Sequence, residues 1–209
     1  MQQTAIKHSE ITTSATVAST AQQLAGQAGI VIAATALVAL CAHISIPLGF
    51  SPVPITLQPF AVLLLGLLLA PRLSFAALSL YLLEGAFGLP VFSPHGPGGL
   101  GQLVGYTGGY LLAAPFAAAL AGMIYRTGKR SLVGALAGAA AGDLILLSTG
   151  ALWLGVLTHA SFLVLLRVSV APFLVSDAAK VLAAAACAQI FTSFSKRSTL
   201  ADQGQNESL

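Results

Sequence analysis

The hydrophobic positions of this chain come in long unbroken runs, without the polar stripe that a helix at the surface of a soluble protein turns outward. Six such runs read as helices, at about residues 25–44, 57–70, 74–87, 110–124, 132–151 and 170–191. The second and third are short for a hydrocarbon layer of ~30 Å, which asks for about 20 helical residues, so they are expected to tilt or to flank a cavity. Pro47, Pro52 and Pro54 mark residues 45–56 as a loop, and Pro71-Arg72 as a tight turn between the second and third runs. Residues 88–109, GLPVFSPHGPGGLGQLVGYTGG, cannot form a helix across lipid. Trp153, just past the fifth run, is a candidate interface anchor. The pattern predicts an all-α membrane protein, a six-helix transmembrane bundle over residues 24–194. Residues 1–23 and 195–209 are expected as flexible cytoplasmic tails, both rich in polar residues.

Composition strengthens the lipid reading. Apolar residues make up 56% and charged residues 7% of the chain, against roughly 25% charged in a soluble domain, and the mean hydropathy is +0.89. The net charge of +3 does not point to nucleic acid, because the basic residues stand singly or at segment ends rather than along a groove. Across six spans, Lys7, Arg72, the basic loop Arg126, Lys129 and Arg130, and Lys196-Arg197 all fall on one side. By the positive-inside rule that side is cytoplasmic, which puts both termini inside a multi-pass protein of the cell membrane. The two Pro- and Gly-rich loops then share the far side, with Arg167, and suggest a lid over a pocket. Cys41 and Cys187 sit in apolar runs and are expected as unpaired small hydrophobes.

Four ionisable residues fall in or near the runs: Glu84, Asp143, Asp177 and Lys180. A charge at mid-bilayer costs about 2.5–3.5 kcal/mol on insertion scales, so each calls for a partner or a role. Asp177 and Lys180 lie three apart, on one helical face. Two readings stay open: a self-neutralising pair that only holds the helix in the bundle, or a pair that also touches a ligand. Asp143 ends the small-residue run GALAGAAAGD and reads first as a polar residue bonded across a helix-packing surface. Glu84 reads as interfacial or packed, with no role assigned. His43, His95 and His159 have no second ligand at metal spacing. Phosphate-binding glycine motifs are absent, so no cofactor is expected and energy for any transport would come from elsewhere. An intramembrane enzyme would need an activated nucleophile with its base, and a channel a repeated polar lining; neither pattern is present.

Particular strings are more specific. ISIPLGFSPVPITLQPFAVLLLGLLLAPRLSFAALSLYLLEGAFGLPVF, then YTGGYLLAAPFAA, then PFLVSDAAK, resemble BioY, the biotin-binding S component of energy-coupling factor (ECF) vitamin transporters, over roughly residues 30–186. The resemblance implies six membrane helices, cytoplasmic termini, and a biotin site at the outer face beneath the first loop. It implies that ligand contacts fall on Gln58, Gly108, Gly109, Tyr110, Asp177 and Lys180, with no catalytic or metal site. It implies as partners a transmembrane coupling subunit and two ATPase subunits, which would use the ATP. An S component for another small vitamin or carboxylated metabolite is the alternative. Biotin offers two ureido N–H donors, a carbonyl acceptor, an apolar ring and a carboxylate, so Asp177 can accept from the ureido group while Lys180 meets the carboxylate or neutralises Asp177.

The chain departs from the family pattern in three places. Val175 and Ser176 stand where Pro and Gly are usual before the Asp, Leu111 stands where some members have Arg after GGY, and Glu84 replaces an uncharged residue. Ala25, Gly29 and Ala33 recur every four residues on the first run, a face that suits either docking on a partner helix or packing within the bundle.

Overall fold

The structure is a computed structural model that describes the backbone of residues 2–206 and the side chains of residues 22–194. The first helix, α1 (Gln2–His43), begins well before residue 25. No Gly or Pro precedes Gly26, so the Ser/Thr/Ala/Gln-rich start contains no helix breaker. Its apolar part, Gln22–His43, is long enough to cross a bilayer. The last helix, α8 (Leu174–Asn206), likewise continues past its apolar part, Leu174–Phe194. Helical backbone therefore covers much of the two segments expected as tails, whose side chains lie mostly outside the described residues.

Between α1 and α2 (Gln58–Leu68) the proline-rich loop is a small antiparallel ribbon. Its strands β1 (Ser45–Ile46) and β2 (Ile55–Thr56) pair Ser45 with Thr56 and Ile46 with Ile55. Pro71 is the first residue of α3 (Pro71–Ala86), where its missing N–H has no intrahelical partner to lose. The glycine-rich stretch contains a short helix, α4 (Gly99–Val104), entered through Gly98 and Gly99 at φ 69° and 57°, a left-handed conformation that glycine adopts without steric cost. Next come α5 (Gly108–Thr127) and α6 (Leu132–Thr158), the latter capped by Ser131, whose Oγ accepts from Gly134 N at 3.1 Å. The fifth run was expected to stop near residue 151, but α6 continues to Thr158. Gly150 and Gly155 do not end it, because the Tyr110 ring and Leu165 pack over them. A short α7 (Phe162–Leu165) and a π-helical turn (Leu166–Val170) lead into α8.

Small residues let α5 sit at the centre of the bundle. A Cβ on Gly66 of α2 would lie 2.5 Å from Ala118 O of α5, and one on Gly122 of α5 would strike Gly66 O. On the adjacent face of α5, a Cβ on Gly138 of α6 would come within 2.5 Å of Ala121 O, and one on Gly142 within 2.9 Å of Ala117 O. The small-residue run of α6 is thus a backbone-contact stripe, as its sequence suggests. Val38 of α1 and Leu78 and Tyr81 of α3 join one core cluster with α2 and α5, while Ala135 and Ala139 of α6 and Ala184, Ala185 and Ala188 of α8 join another.

Away from these contacts the helices present large apolar side chains outward, among them Leu40, Leu144, Leu152, Val156 and Val175. Among the described residues four helices are long and apolar enough to cross a membrane, and the eleven-residue α2 is a shorter apolar helix. Replacing Gly122 with Val is expected to lower the midpoint of thermal unfolding in detergent by several degrees. The same change at Gly26, which has nothing within 4 Å, should leave it almost unchanged; equal midpoints for the two variants would contradict the close α2–α5 contact.

Candidate functional site

Three connections meet at one end of the bundle: the β1–β2 ribbon, residues 87–107, and the α7/π-helical segment. Proline chemistry explains how they are joined. Pro172 has no N–H to give the Val168 carbonyl four residues earlier, and that carbonyl accepts instead from Ser51 Oγ of the ribbon at 2.7 Å. Phe173 N turns to Val170 O at 3.0 Å, which leaves the Ser169 carbonyl to accept from Tyr110 Oη at 3.1 Å. The break before α8 therefore supplies two acceptors, and the ribbon and α5 supply their donors.

Residues 87–107 fold in by a similar economy of contacts. The Phe92 ring fills the space left by Gly85 and meets Tyr81 edge-on, at 5.4 Å between centroids and 78° between planes. Tyr81 Oη donates to Val91 O at 3.0 Å. The buried Gln102 side chain donates to Ser93 O at 3.3 Å and accepts from Gly98 N at 3.2 Å, holding both sides of the loop. Trp153 lies within α6 rather than past its end, donates through Nε1 to Gly105 O at 2.9 Å, and packs on Gly109.

Beneath this cover lies a partly open cavity of about 70 Å³. Val53, Thr56 and Gln58 come from the ribbon and the start of α2, Ser93 and Gln102 from the folded loop, and Tyr110 and Leu111 from the start of α5. Asp143, Leu146 and Leu147 line it from α6, and Phe173, Asp177 and Lys180 from the entry to α8. Lys180 Nζ donates to Asp177 Oδ1 at 2.8 Å, with the two side chains 8% and 9% exposed. Ser176, in the usual Gly position, donates to Phe173 O at 2.9 Å and lies 3.4 Å from Asp177 Oδ1, so the changed residue braces the helix entry. Val175 points outward.

Four of the six sequence-selected residues, Gln58, Tyr110, Asp177 and Lys180, thus share one cavity. Gly108 and Gly109 do not line it. A Cβ on Gly108 would strike Leu103 O, and one on Gly109 would lie 2.7 Å from Thr149 O and collide with Trp153, so these glycines set how closely α5 approaches α4 and α6. Sequence reasoning passed over Ser93, Gln102, Asp143 and Phe173 as site residues. Only the charge of Asp143 is a signal in the sequence, and the small-residue run before it points to helix packing. Instead of being bonded across the interface, its Oδ1 is buried without a hydrogen-bond partner. Glu84 lies elsewhere and accepts from Thr35 Oγ1 of α1 at 3.2 Å, joining α3 to α1. Cys41 is buried and Cys187 exposed, both unpaired. Among the described residues no group of three His, Cys, Asp or Glu side chains could hold a metal ion.

Outward apolar faces around a covered cavity with a buried ion pair define a multi-pass membrane protein with an internal pocket. More particularly, the chain belongs to the BioY family, whose sequence profile matches residues 11–197. It is 38% identical to the probable biotin transporter BioY of Pyrococcus horikoshii over 145 residues, 69% of this chain and 83% of that protein. It is 39% identical to the biotin transporter BioY of Thermotoga maritima over 151 residues, 72% of this chain and 86% of that one. Among solved structures, the S-component for biotin from an ECF-type ABC transporter superposes with a TM-score of 0.75 at 26% identity, over 82% of this chain and 93% of that chain.

Exchanging Ser51 for Ala removes both the donor to Val168 O and the acceptor of Val53 N at 3.2 Å. Net loss is expected at about 1 kcal/mol per bond, concentrated in the ribbon. Hydrogen exchange of residues 47–54 should quicken while that of α5 stays constant; unchanged exchange in the ribbon would show that this latch does not hold it.

Proposed function

We propose that this chain captures biotin in the cavity beneath the β1–β2 ribbon and serves as the substrate-binding S component of an ECF-type ABC transporter, itself without enzymatic activity. The observation that carries the reading is the Asp177–Lys180 pair, buried in a covered cavity of a chain from a family of biotin transporters. Asp177 commits Oδ1 to Lys180, leaving its second oxygen for a ureido N–H. Lys180 has three donors and spends one short bond on Asp177, so others remain for the ureido carbonyl or the ligand carboxylate. Leu146, Leu147, Phe173 and Tyr110 supply apolar cover for the ring and alkyl tail.

Taken as crossings, α1, α2, α3, α5, α6 and α8 bring both termini to the cytoplasmic side. The arrangement of charge supports this orientation: Arg72, Arg126, Lys129 and Arg130 lie in or beside the turns joining α2 to α3 and α5 to α6, at the end away from the cavity. The cavity then opens outside a cytoplasmic membrane, with the apolar faces against lipid. Ala25, Gly29 and Ala33 are exposed on α1, and neither Gly26 nor Gly29 has a neighbour within 4 Å. They are not used in packing the bundle, which favours docking on a transmembrane coupling subunit, with two ATPase subunits driving reorientation and release.

Calorimetric titration of the purified protein should show biotin binding and no response to thiamine or riboflavin; a heat signal from either of these with none from biotin would transfer the assignment to another vitamin. Asp177→Ala and Lys180→Ala each remove one partner of a buried charge pair, which costs about 2–5 kcal/mol and should weaken biotin binding about 30-fold or more. In cells, a single cysteine at position 51 should react with a membrane-impermeant maleimide from outside, and one at position 129 only after permeabilisation. The reverse pattern would invert the orientation.

A further inference from the structure

One carboxylate in the cavity is left over after the ion pair is made. Asp143 lies one turn before Leu146 and Leu147 on α6, and all three line the cavity with Asp177 and Lys180. Its Oδ1 is buried and has no hydrogen-bond partner, whereas Asp177 Oδ1 takes Lys180 Nζ at 2.8 Å. The lining side chains include two carboxylates and one ammonium, and Leu111 adds no cation. A buried acceptor without a donor costs about 1–3 kcal/mol, more if charged, and of the donors that share the cavity Tyr110 donates to Ser169 O, Gln102 to Ser93 O and Lys180 to Asp177. The cavity therefore holds an acceptor and a surplus of negative charge that the protein does not satisfy.

We infer that Asp143 is a specificity-determining ligand contact that accepts an N–H from the cyclic urea, so that the site takes cyclic ureas and their guanidinium counterparts. This deepens the biotin reading and rests on it. With Lys180 drawn to Asp177 and Asp143 unpaired, the cavity favours a ligand whose buried end donates hydrogen bonds or carries positive charge.

The test titrates the full chain, purified in detergent, with biotin and with 2-iminobiotin, in which a guanidinium replaces the urea, using unaltered protein, Asp143→Asn and Asp143→Leu. Unaltered protein should bind iminobiotin within about tenfold of biotin. Asp143→Asn keeps an acceptor but loses the charge, so biotin should weaken by less than tenfold and iminobiotin by at least tenfold more than biotin. Asp143→Leu should weaken both ligands by tenfold or more while the protein stays folded by its thermal unfolding profile. If unaltered protein binds biotin but the ratio of the two affinities is the same in all three proteins, Asp143 is only a packing residue and the inference falls while the biotin reading stands. If unaltered protein binds biotin but rejects iminobiotin, the inference also falls. No biotin binding by unaltered protein would remove the reading of function and this inference with it.

Discussion

The 2.8 Å contact between Lys180 and Asp177 constrains more of this molecule than any other side-chain interaction, because a charge facing lipid costs several kcal/mol and a buried one needs a partner. Placed one turn apart near the start of α8, the two share one face, and that face stays out of lipid only if it turns inward. The rotation of the whole helix follows: Val181, Ala184, Ala185 and Ala188 fall on the same face and enter the core, while Val175 and Leu182 point outward. An ion pair meant only for docking could have been sealed by neighbouring apolar groups. Here it borders open space instead, so the interaction that orients the helix also gives the cavity its polarity.

The cover of the cavity depends on the same rule applied to the backbone. Where a helix breaks within or near a membrane, its freed carbonyls must find donors inside the protein. Pro172 frees the Val168 carbonyl and the following turn frees that of Ser169; Ser51 and Tyr110 meet them. The break that begins α8 is thereby what fastens the ribbon over the pocket, and Tyr110 serves both as lining and as a tie between α5 and the segment before α8. Glycine makes the other half of this economy: Gly85 admits the Phe92 ring and Gly109 admits Trp153, so loop and helix approach to contact distance without a dedicated lid domain.

Close backbone packing also separates what the bundle uses from what it leaves available. On α2, α5 and the first half of α6 the glycines meet a neighbouring backbone, whereas on α1 the small residues stand exposed. Both surfaces are built of small residues, and composition alone left docking and internal packing both open. Their difference arises because α5 is enclosed by α2, α3 and α6 on several sides, while the described part of α1 packs on the bundle along one side, through residues such as Ala34, Val38 and Cys41.

Several features were legible in the residues alone: the membrane as solvent, the positions of the long apolar segments, the two punctuated loops, and the Asp177–Lys180 pair. These follow from hydropathy and from spacing along a helix, which are local properties. The strings shared with BioY pointed to Gln58 and Tyr110 as well, and both line the cavity. Tertiary structure alone decided that Gly108 and Gly109 pack against neighbouring helices, that Trp153 bonds to Gly105, that Glu84 bonds to Thr35, and that Gln102 and Asp143 face the pocket. Spacing along a helix says which residues share a face, but only the packing of helices distant in sequence says what that face meets. Asp143 shows the difference: the glycine stripe beside it does pack on α5, yet one position further round the helix the same surface opens onto the cavity.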